Sequence, residues 1–488
     1  MKTPFIRLAR CGAVIAALSS WLAPAGALAQ QQVQPAAWSA ALAMTEPADL
    51  NPDPRIVEIN LDARVAEVEV AGKKVAAWTY NGGLPGPLIR VRAGDRFIAH
   101  FTNHLPQPTT VHWHGLRVPI QMDGVPGASQ PDVQPGGSFT YDFVVPDAGL
   151  YWYHPHVMSA AQVGFGLYGA MLVEAPAEDV GVADEVVLLL SDIALLGSGQ
   201  FEPPDAGGST AMAFGREGNH VLVNGRTKPT LRARSGAPQR WRIVNAAKSR
   251  YFELELEGHT FTTIGVDGGL QESPVESQTL LVAAGERVDV IVTPKGAPGR
   301  EVPLRSLLHN RGYGSVEYRS VETLLTLAIA EMPPYVAPPR SPVRRAIEPL
   351  NTAGATRVDI ALTLAQTGGK YEYGINNVAF AKDRPIVARP GETQIWTVKN
   401  TTKWSHPFHL HGFFFQVLDA RGEPVRPLAW KDTVNVPFDQ TVQLAVRFDD
   451  REGDWMYHCH ILDHADGGLM GTVRVGSSPA AHVHPAAP

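Results

Sequence analysis

Arg389-Pro390-Gly391-Glu392-Thr393-Gln394-Ile395-Trp396-Thr397-Val398-Lys399-Asn400 reads as a turn, an apolar alternating strand and a closing asparagine, and the chain spells this unit three times. The other copies run from Arg92-Ala93-Gly94 to Asn103 and from Arg234-Ser235-Gly236 to Asn245, with the asparagine nine residues after the glycine in every case. Pro87, Pro229 and Pro385 stand six or seven residues before those glycines, and successive copies are 142 and 155 residues apart. That period is too long for a solenoid repeat and implies three copies of one β-domain. Elsewhere Ile59, Leu61, Ala63 and Val65 alternate with Asn60, Asp62 and Arg64, and Phe252, Leu254 and Leu256 alternate with Glu253, Glu255 and Glu257. Period-two patterning marks half-buried strands. With 40 Pro and 46 Gly punctuating the chain and no long segment of helical period, we expect an all-β protein of Greek-key sandwich or barrel domains at 48–176, 184–332 and 350–476. Gly197 to Asn219 and Met332 to Pro349, rich in Gly, Pro or Ser, read as long loops or linkers.

A length of 488 residues suits two to four domains, and 44% hydrophobic against 18% charged residues excludes disorder. The formal net charge is -6 and the body of the chain has no basic run, which argues against nucleic acid and for small substrates. Residues 1–29 read as a signal peptide: Lys2, Arg7 and Arg10, a short apolar stretch from Ala13 to Leu22, then Ala27-Leu28-Ala29 before Gln30. Arg7 and Arg10 do not form a twin-arginine pair. No later apolar run is long enough to span a membrane, so a soluble periplasmic or secreted chain is expected after cleavage near Ala29. Residues 477–488 are expected to be a disordered tail, in which His482 and His484 are incidental. Cleavage removes Cys11 and leaves Cys459 alone in an oxidising compartment.

The body of the chain carries four His-x-His pairs: His112-Trp113-His114, His154-Pro155-His156, His409-Leu410-His411 and His458-Cys459-His460. On a strand, residues i and i+2 share a face, so each pair is a ready chelating unit. Two pairs fall in the first repeat, two in the third and none in the middle one. Domains one and three are therefore expected to pool eight imidazoles across a pseudo-twofold, with domain two acting mainly as a spacer. His100, His104, His220, His259 and His309 are isolated and read as ordinary surface or core residues.

Imidazole alone suits zinc, copper or iron, and the cysteine decides between them. Cys459 points to the strand face opposite His458 and His460, five residues before His464. One Cys with two His forms the trigonal blue-copper site, and His406 is the natural second imidazole. The thiolate would bind one copper on one face while its two neighbours bind a copper cluster on the other, leaving a short covalent path for an electron.

With His112-Trp113-His114-Gly115, His154-Pro155-His156, His406-Pro407-Phe408-His409-Leu410-His411-Gly412 and His458-Cys459-His460-Ile461-Leu462-Asp463-His464, the sequence resembles the multicopper oxidases, in particular their three-domain laccase-like branch. The resemblance covers roughly 48 to 476. It implies a cupredoxin fold for each domain and four copper ions. His406, Cys459 and His464 would hold the type 1 copper, and His112 with His409 the type 2 copper. The type 3 pair would take His114, His154 and His460 on one ion, and His156, His411 and His458 on the other. Pro155 stands where the third domain has Cys459, so domain one would lack a type 1 site.

The implied reaction is four one-electron oxidations of a small reducing substrate, with Cys459 on the electron path, coupled to reduction of O₂ to two waters by a monomer. The reduction consumes four protons, and Asp123 matches the family's acidic residue near the cluster. Two positions depart from the bacterial pattern: Ala465 replaces an acid after His464, with Asp463 or Asp466 as substitutes, and Leu469 stands at the axial methionine position, with Met470 next. The expected substrates are phenols and aromatic amines. The alternatives are a cuprous or ferrous ion oxidase of copper tolerance, which the scattered nine methionines do not favour, and a non-catalytic copper-binding cupredoxin protein, which need not keep both sites complete.

Overall fold

The computed structural model describes residue 1 and residues 35–175, 178, 180–182, 184–312, 319–337 and 343–476. The segment read above as a signal peptide, apart from Met1, and the tail 477–488 lie outside the described residues. Each third of the chain builds two facing sheets, and the described helices are short. In the first third one sheet orders Lys73–Tyr80, Ile56–Val70, Arg96–Asn103 and Ser138–Val144, and the other Ile89–Arg92, Gly169–Glu174, Gly149–His154 and His112–His114. The last third repeats the plan. One of its sheets centres on Thr393–Asn400, and the other sets His406–Leu410 between Gly453–Cys459 and Thr433–Val436.

The repeated unit does the same work in each third. Its glycines, Gly94, Gly236 and Gly391, have φ of +88°, +81° and +79°, a turn conformation that a Cβ would strain. Its strand pairs in parallel with an earlier one: Arg96–Asn103 with Ile56–Val70, Gln239–Asn245 with Asp184–Ile193, and Thr393–Asn400 with Thr356–Thr367. The closing asparagine is buried and ties two loops together. Asn103 donates to the carbonyls of Gln107 and Val133 and accepts from Leu105 N. Asn245 does so with Arg250, Val282 and Ala247, and Asn400 with Trp404, Val436 and Thr402. Asn245→Ala would strand these buried backbone groups, and about 2–4 kcal/mol of destabilisation is expected. A lower midpoint in thermal or denaturant unfolding, with copper content of the folded protein unchanged, checks this.

Alternation holds at Ile59, Leu61 and Ala63, all fully buried, but Val65 is 47% exposed. The parallel partner strand ends at Asn103 opposite Ala63, and beyond it the strand pairs only with Lys73–Tyr80 as a projecting hairpin, so no second sheet covers Val65. The stretch 197–219 is not simply a linker: it contains the helix Gly208–Phe214, and Ala213 O accepts the Tyr373 hydroxyl of the last third at 2.6 Å. The thirds dock through a shared apolar layer in which Leu150, Trp152 and Leu172 meet Val187, Leu189 and Val244 of the middle third and Leu462 of the last. Among the described residues no helix is long and apolar enough to cross a membrane.

Candidate metal centre

Two neighbouring strands and the turn after them build the first group. His406–Leu410 pairs antiparallel with Gly453–Cys459, with Phe408 opposite Cys459, and the chain then turns through Ile461 into the short helix Leu462–Asp466, which carries His464. Cys459 Sγ lies 3.3 Å from His406 Nδ1 and 3.6 Å from His464 Nδ1, and the two nitrogens are 3.0 Å apart. All three residues are fully buried. Thr402 Oγ1 lies 2.7 Å from His406 Nε2 and 2.9 Å from Asn400 Oδ1, so the repeat's asparagine sets the ring's orientation at one remove and leaves Nδ1 to the sulfur side. Burial pushes His406 down to about 3, with the Arg311 cation adding to the effect, and it raises the Cys459 thiol well above its ordinary range. A thiolate here therefore needs a bound cation to be stable.

Leu469 and Met470 part company at this site. Met470 pairs with His458 and so shares its face of the sheet. Leu469, fully buried, accepts from Cys459 N at 3.1 Å and belongs to the same apolar cluster as Cys459. The side of the sheet that holds the sulfur thus meets an aliphatic side chain.

The opposite face gathers the eight paired histidines. His112 and His114 face His154 and Trp152 across one strand pair, and His409 faces His458 across another. The two halves meet ring to ring, with His112 stacked on His411 at 4.0 Å and His114 on His409 at 3.8 Å between centroids. The ligand nitrogens of His156, His411 and His458 lie within 4.8 Å of one another, as do those of His112, His409 and His411 and those of His112, His114 and His154. His460, expected to join His114 and His154, lies beside them with ring centroids 4.8 and 5.4 Å away. Seven of the eight are buried and His156 is half-buried.

Their hydrogen bonds leave the inner nitrogens bare. Nδ1 of His112, His154, His409 and His458 lies 2.7–3.0 Å from the backbone oxygens of Asp123, Pro155, Asp432 and Cys459, and His411 Nδ1 lies 2.8 Å from Asp123 Oδ2. Buried Nε2 of His112, His154 and His409, Nδ1 of His114 and both nitrogens of His460 have no hydrogen-bond partner among the described residues. Burial, with the neighbouring imidazoles, holds His114, His154, His156, His411, His458 and His460 well below the ordinary imidazole range, so their lone pairs are available. Buried, unpaired and convergent nitrogen donors of this number fit metal ions, since an empty polar pocket of this kind would be costly.

Supporting residues are where sequence reading falls short. Asp432 lies 3.3 Å from both His114 Nε2 and His409 Nδ1, and it is clasped at both oxygens by Arg287, 1% exposed, from the middle third. The middle domain is thus more than a spacer. Thr433 Oγ1 reaches the same two rings at 3.3 and 3.1 Å. Of the acids picked out in sequence, Asp123 touches His411 and lies 3.4 Å from His112. Burial raises its carboxyl, and its hydrogen bonds to the two imidazoles oppose that rise. Asp463 is committed to Arg216, accepting from its backbone N and its guanidinium. Asp466 accepts from Ser159 N and Ala160 N and is pushed up to about 6 by burial. His100 pairs with Glu58, His309 with Glu253, and His259 bonds Glu257 O and Lys295 N, all outside the cluster.

Three sequence models of the multicopper oxidase family match the chain, over residues 62–178, 184–301 and 351–479. Multicopper oxidase MmcO of Mycobacterium tuberculosis is 33% identical over 453 residues, covering 85% of this chain and 86% of its own. A laccase of Bacillus subtilis is 27% identical, covering 80% of this chain and 89% of its own. Among solved structures, a Campylobacter jejuni multicopper oxidase described as a metallo-oxidase superposes with a TM-score of 0.79 at 28% identity, covering 89% of this chain and 94% of its own.

Proposed function

Because this chain belongs to the multicopper oxidase family, we propose that it is an exported, laccase-like enzyme that couples the oxidation of phenols or aromatic amines to the reduction of O₂ to water. Its fold is three cupredoxin-like β-sandwiches and its cofactor is copper. Copper supplies single-electron chemistry, accepting electrons from the substrate one at a time and delivering them to oxygen. In our reading His406, Cys459 and His464 hold the type 1 ion, and His112 with His409 the type 2 ion. His114, His154 and His460 hold one type 3 ion, and His156, His411 and His458 the other.

The observation that carries this reading is the junction at His458-Cys459-His460. Three consecutive residues place a thiol in one buried donor set and two imidazoles in the other. The chain's own part is orientation: Asp123, Asp432, Thr433 and several backbone carbonyls occupy the outer ring nitrogens and aim the inner ones. Asp123 also serves as the carboxyl that passes protons to the oxygen site, since it touches two cluster imidazoles.

Cuprous or ferrous oxidation is the rival. Soft thioethers near the type 1 site would serve cuprous ions, yet the segment 197–219 that borders it has only Met212, and Leu469 rather than Met470 shares the sulfur's apolar cluster. Oxygen uptake by copper-loaded protein, measured with a panel of phenols and aromatic amines against Cu(I) and Fe(II), tests the reading. Turnover of the organic panel is expected, with about four copper ions bound per chain. Turnover confined to the metal ions would replace the organic reading by the rival, and one copper or fewer per chain would remove the oxidase reading altogether.

A further inference from the structure

Gly268 and Gly269 make a turn of the middle third on which the rest of the chain closes. A Cβ on Gly268 would lie 2.6 Å from Trp430 Cβ, and Gly268 N donates to Trp430 O at 2.9 Å. A Cβ on Gly269, where φ is +91°, would lie 2.5 Å from Ala148 O and 3.3 Å from Arg345 Nη1. Arg345 in turn donates to Gly268 O at 2.9 Å. One glycine turn thus gathers Asp147-Ala148 of the first third, Arg345 of the connecting segment and Trp430 of the last third.

Asp147, Arg345 and Trp430, with Arg117, Phe414 and Arg447, line a cavity of about 630 Å³, a size that suits a small organic molecule. None of the residues assigned to copper lines it. Its apolar wall comes from the last third, where half-buried Trp430 and Phe414 both pack with the apolar core of the first third. Arg117 lies over Phe414, 5.8 Å from the ring centroid, and grips Asp147 through two bonds of 2.6 and 2.8 Å. Asp449, also in the lining, is held by Arg451 at 2.7 and 2.9 Å and by Arg117 at 3.6 Å.

The other two cations are not spoken for. Arg345 donates to the carbonyls of Gly268 and Leu270, at 2.9 and 3.4 Å, and Arg447 is exposed. Among the described residues no carboxylate forms an ion pair with either guanidinium. The remaining acid of the lining, Asp450, is exposed and forms no ion pair among the described residues either. A guanidinium offers paired donors that match the two oxygens of a carboxylate, and an aromatic wall favours a planar ring beside it.

We propose that this cavity is a binding site for an aromatic carboxylate, its ring against Trp430 and Phe414 and its carboxylate taken by Arg345 and Arg447. The site is separate from the oxidase reading and uses none of the copper assignments. Because its lining comes from the first third, the connecting segment and the last third, an occupant holds the docked thirds together and stabilises the native protein.

Isothermal titration calorimetry of the copper-loaded protein with cinnamate, which has no phenolic hydroxyl to oxidise, is the test. Saturable binding at one site per chain is expected, with the midpoint of thermal unfolding rising as cinnamate is added. Uncharged cinnamamide, which loses the charge-assisted bonds, and acetate, which loses the ring, should each bind at least about tenfold more weakly. Arg447→Gln, at an exposed position that does not threaten the fold, should weaken cinnamate by at least about tenfold, and Arg345→Gln should do the same. Absence of saturable binding, equal binding of cinnamamide or acetate, or native affinity in Arg447→Gln overturns the proposal. Cinnamate that settles on a copper ion instead would alter the type 2 signal in electron paramagnetic resonance and bind Arg447→Gln at native strength, which is equally fatal.

Discussion

Cys459→Ser is expected to abolish the blue absorption and the oxidation of every substrate together, with activity falling to background. The thiol lies beside His406 and His464, and a serine hydroxyl neither gives the sulfur-to-copper transition nor ionises readily in a site this buried. The hydrogen bonds that orient the imidazoles on the other face do not involve the Cys459 thiol, so the type 2 signal in electron paramagnetic resonance should survive with about one copper lost. Spectroscopy and copper analysis on the purified variant decide the matter. A variant that stays blue would show that Cys459 does not bind the type 1 ion.

Asp123→Asn should act at the other end of the electron's path. Asparagine can still offer a carbonyl oxygen to His411 Nδ1, 2.8 Å from the present carboxylate, so the ring should stay oriented. It cannot hold or release a proton, and a positioned acid–base group contributes on the order of 10²–10⁴-fold. Reoxidation of the reduced enzyme by O₂ should therefore slow by at least about 100-fold, while reduction of the type 1 site by substrate stays near the native rate. Stopped-flow measurement of the two half-reactions separates them, and native reoxidation would return Asp123 to a purely orienting role.

The fold was legible because its signal is local and repeated. A glycine that needs positive φ, an alternating strand and an asparagine nine residues on are all visible without knowing what they touch, and Asn103, Asn245 and Asn400 do the same work in space. The gathering of the paired histidines was legible for a related reason: a strand's period turns His-x-His into a shared face. Asp432 and Arg287 left no such trace. They meet across 145 residues and two domains, and nothing around either in sequence distinguishes an Asp or Arg there from a solvated one. Thr402 escaped likewise, being one hydroxyl among many until Asn400 and His406 close on it. The segment 197–219 is largely the loop its Gly and Pro content suggests, but that content describes how the backbone turns and says nothing of the helix Gly208–Phe214 or of what the segment covers.

The two donor sets differ in how far apart in the chain their members lie, and that difference bears on how the molecule is assembled. His406 and His464 are 58 residues apart, whereas His156 and His458 meet across 302. Closing the longer loop costs about 1.5 kcal/mol more in chain entropy, and it also requires two separately formed sandwiches to dock. Contacts of short range form early in folding and those of long range late. The site beside Cys459 can take shape within the last third alone, while the eight-histidine face comes into being only when the first and last thirds have joined. On the proposed assignment, the place that receives an electron is therefore expected to form before the one that passes electrons to oxygen.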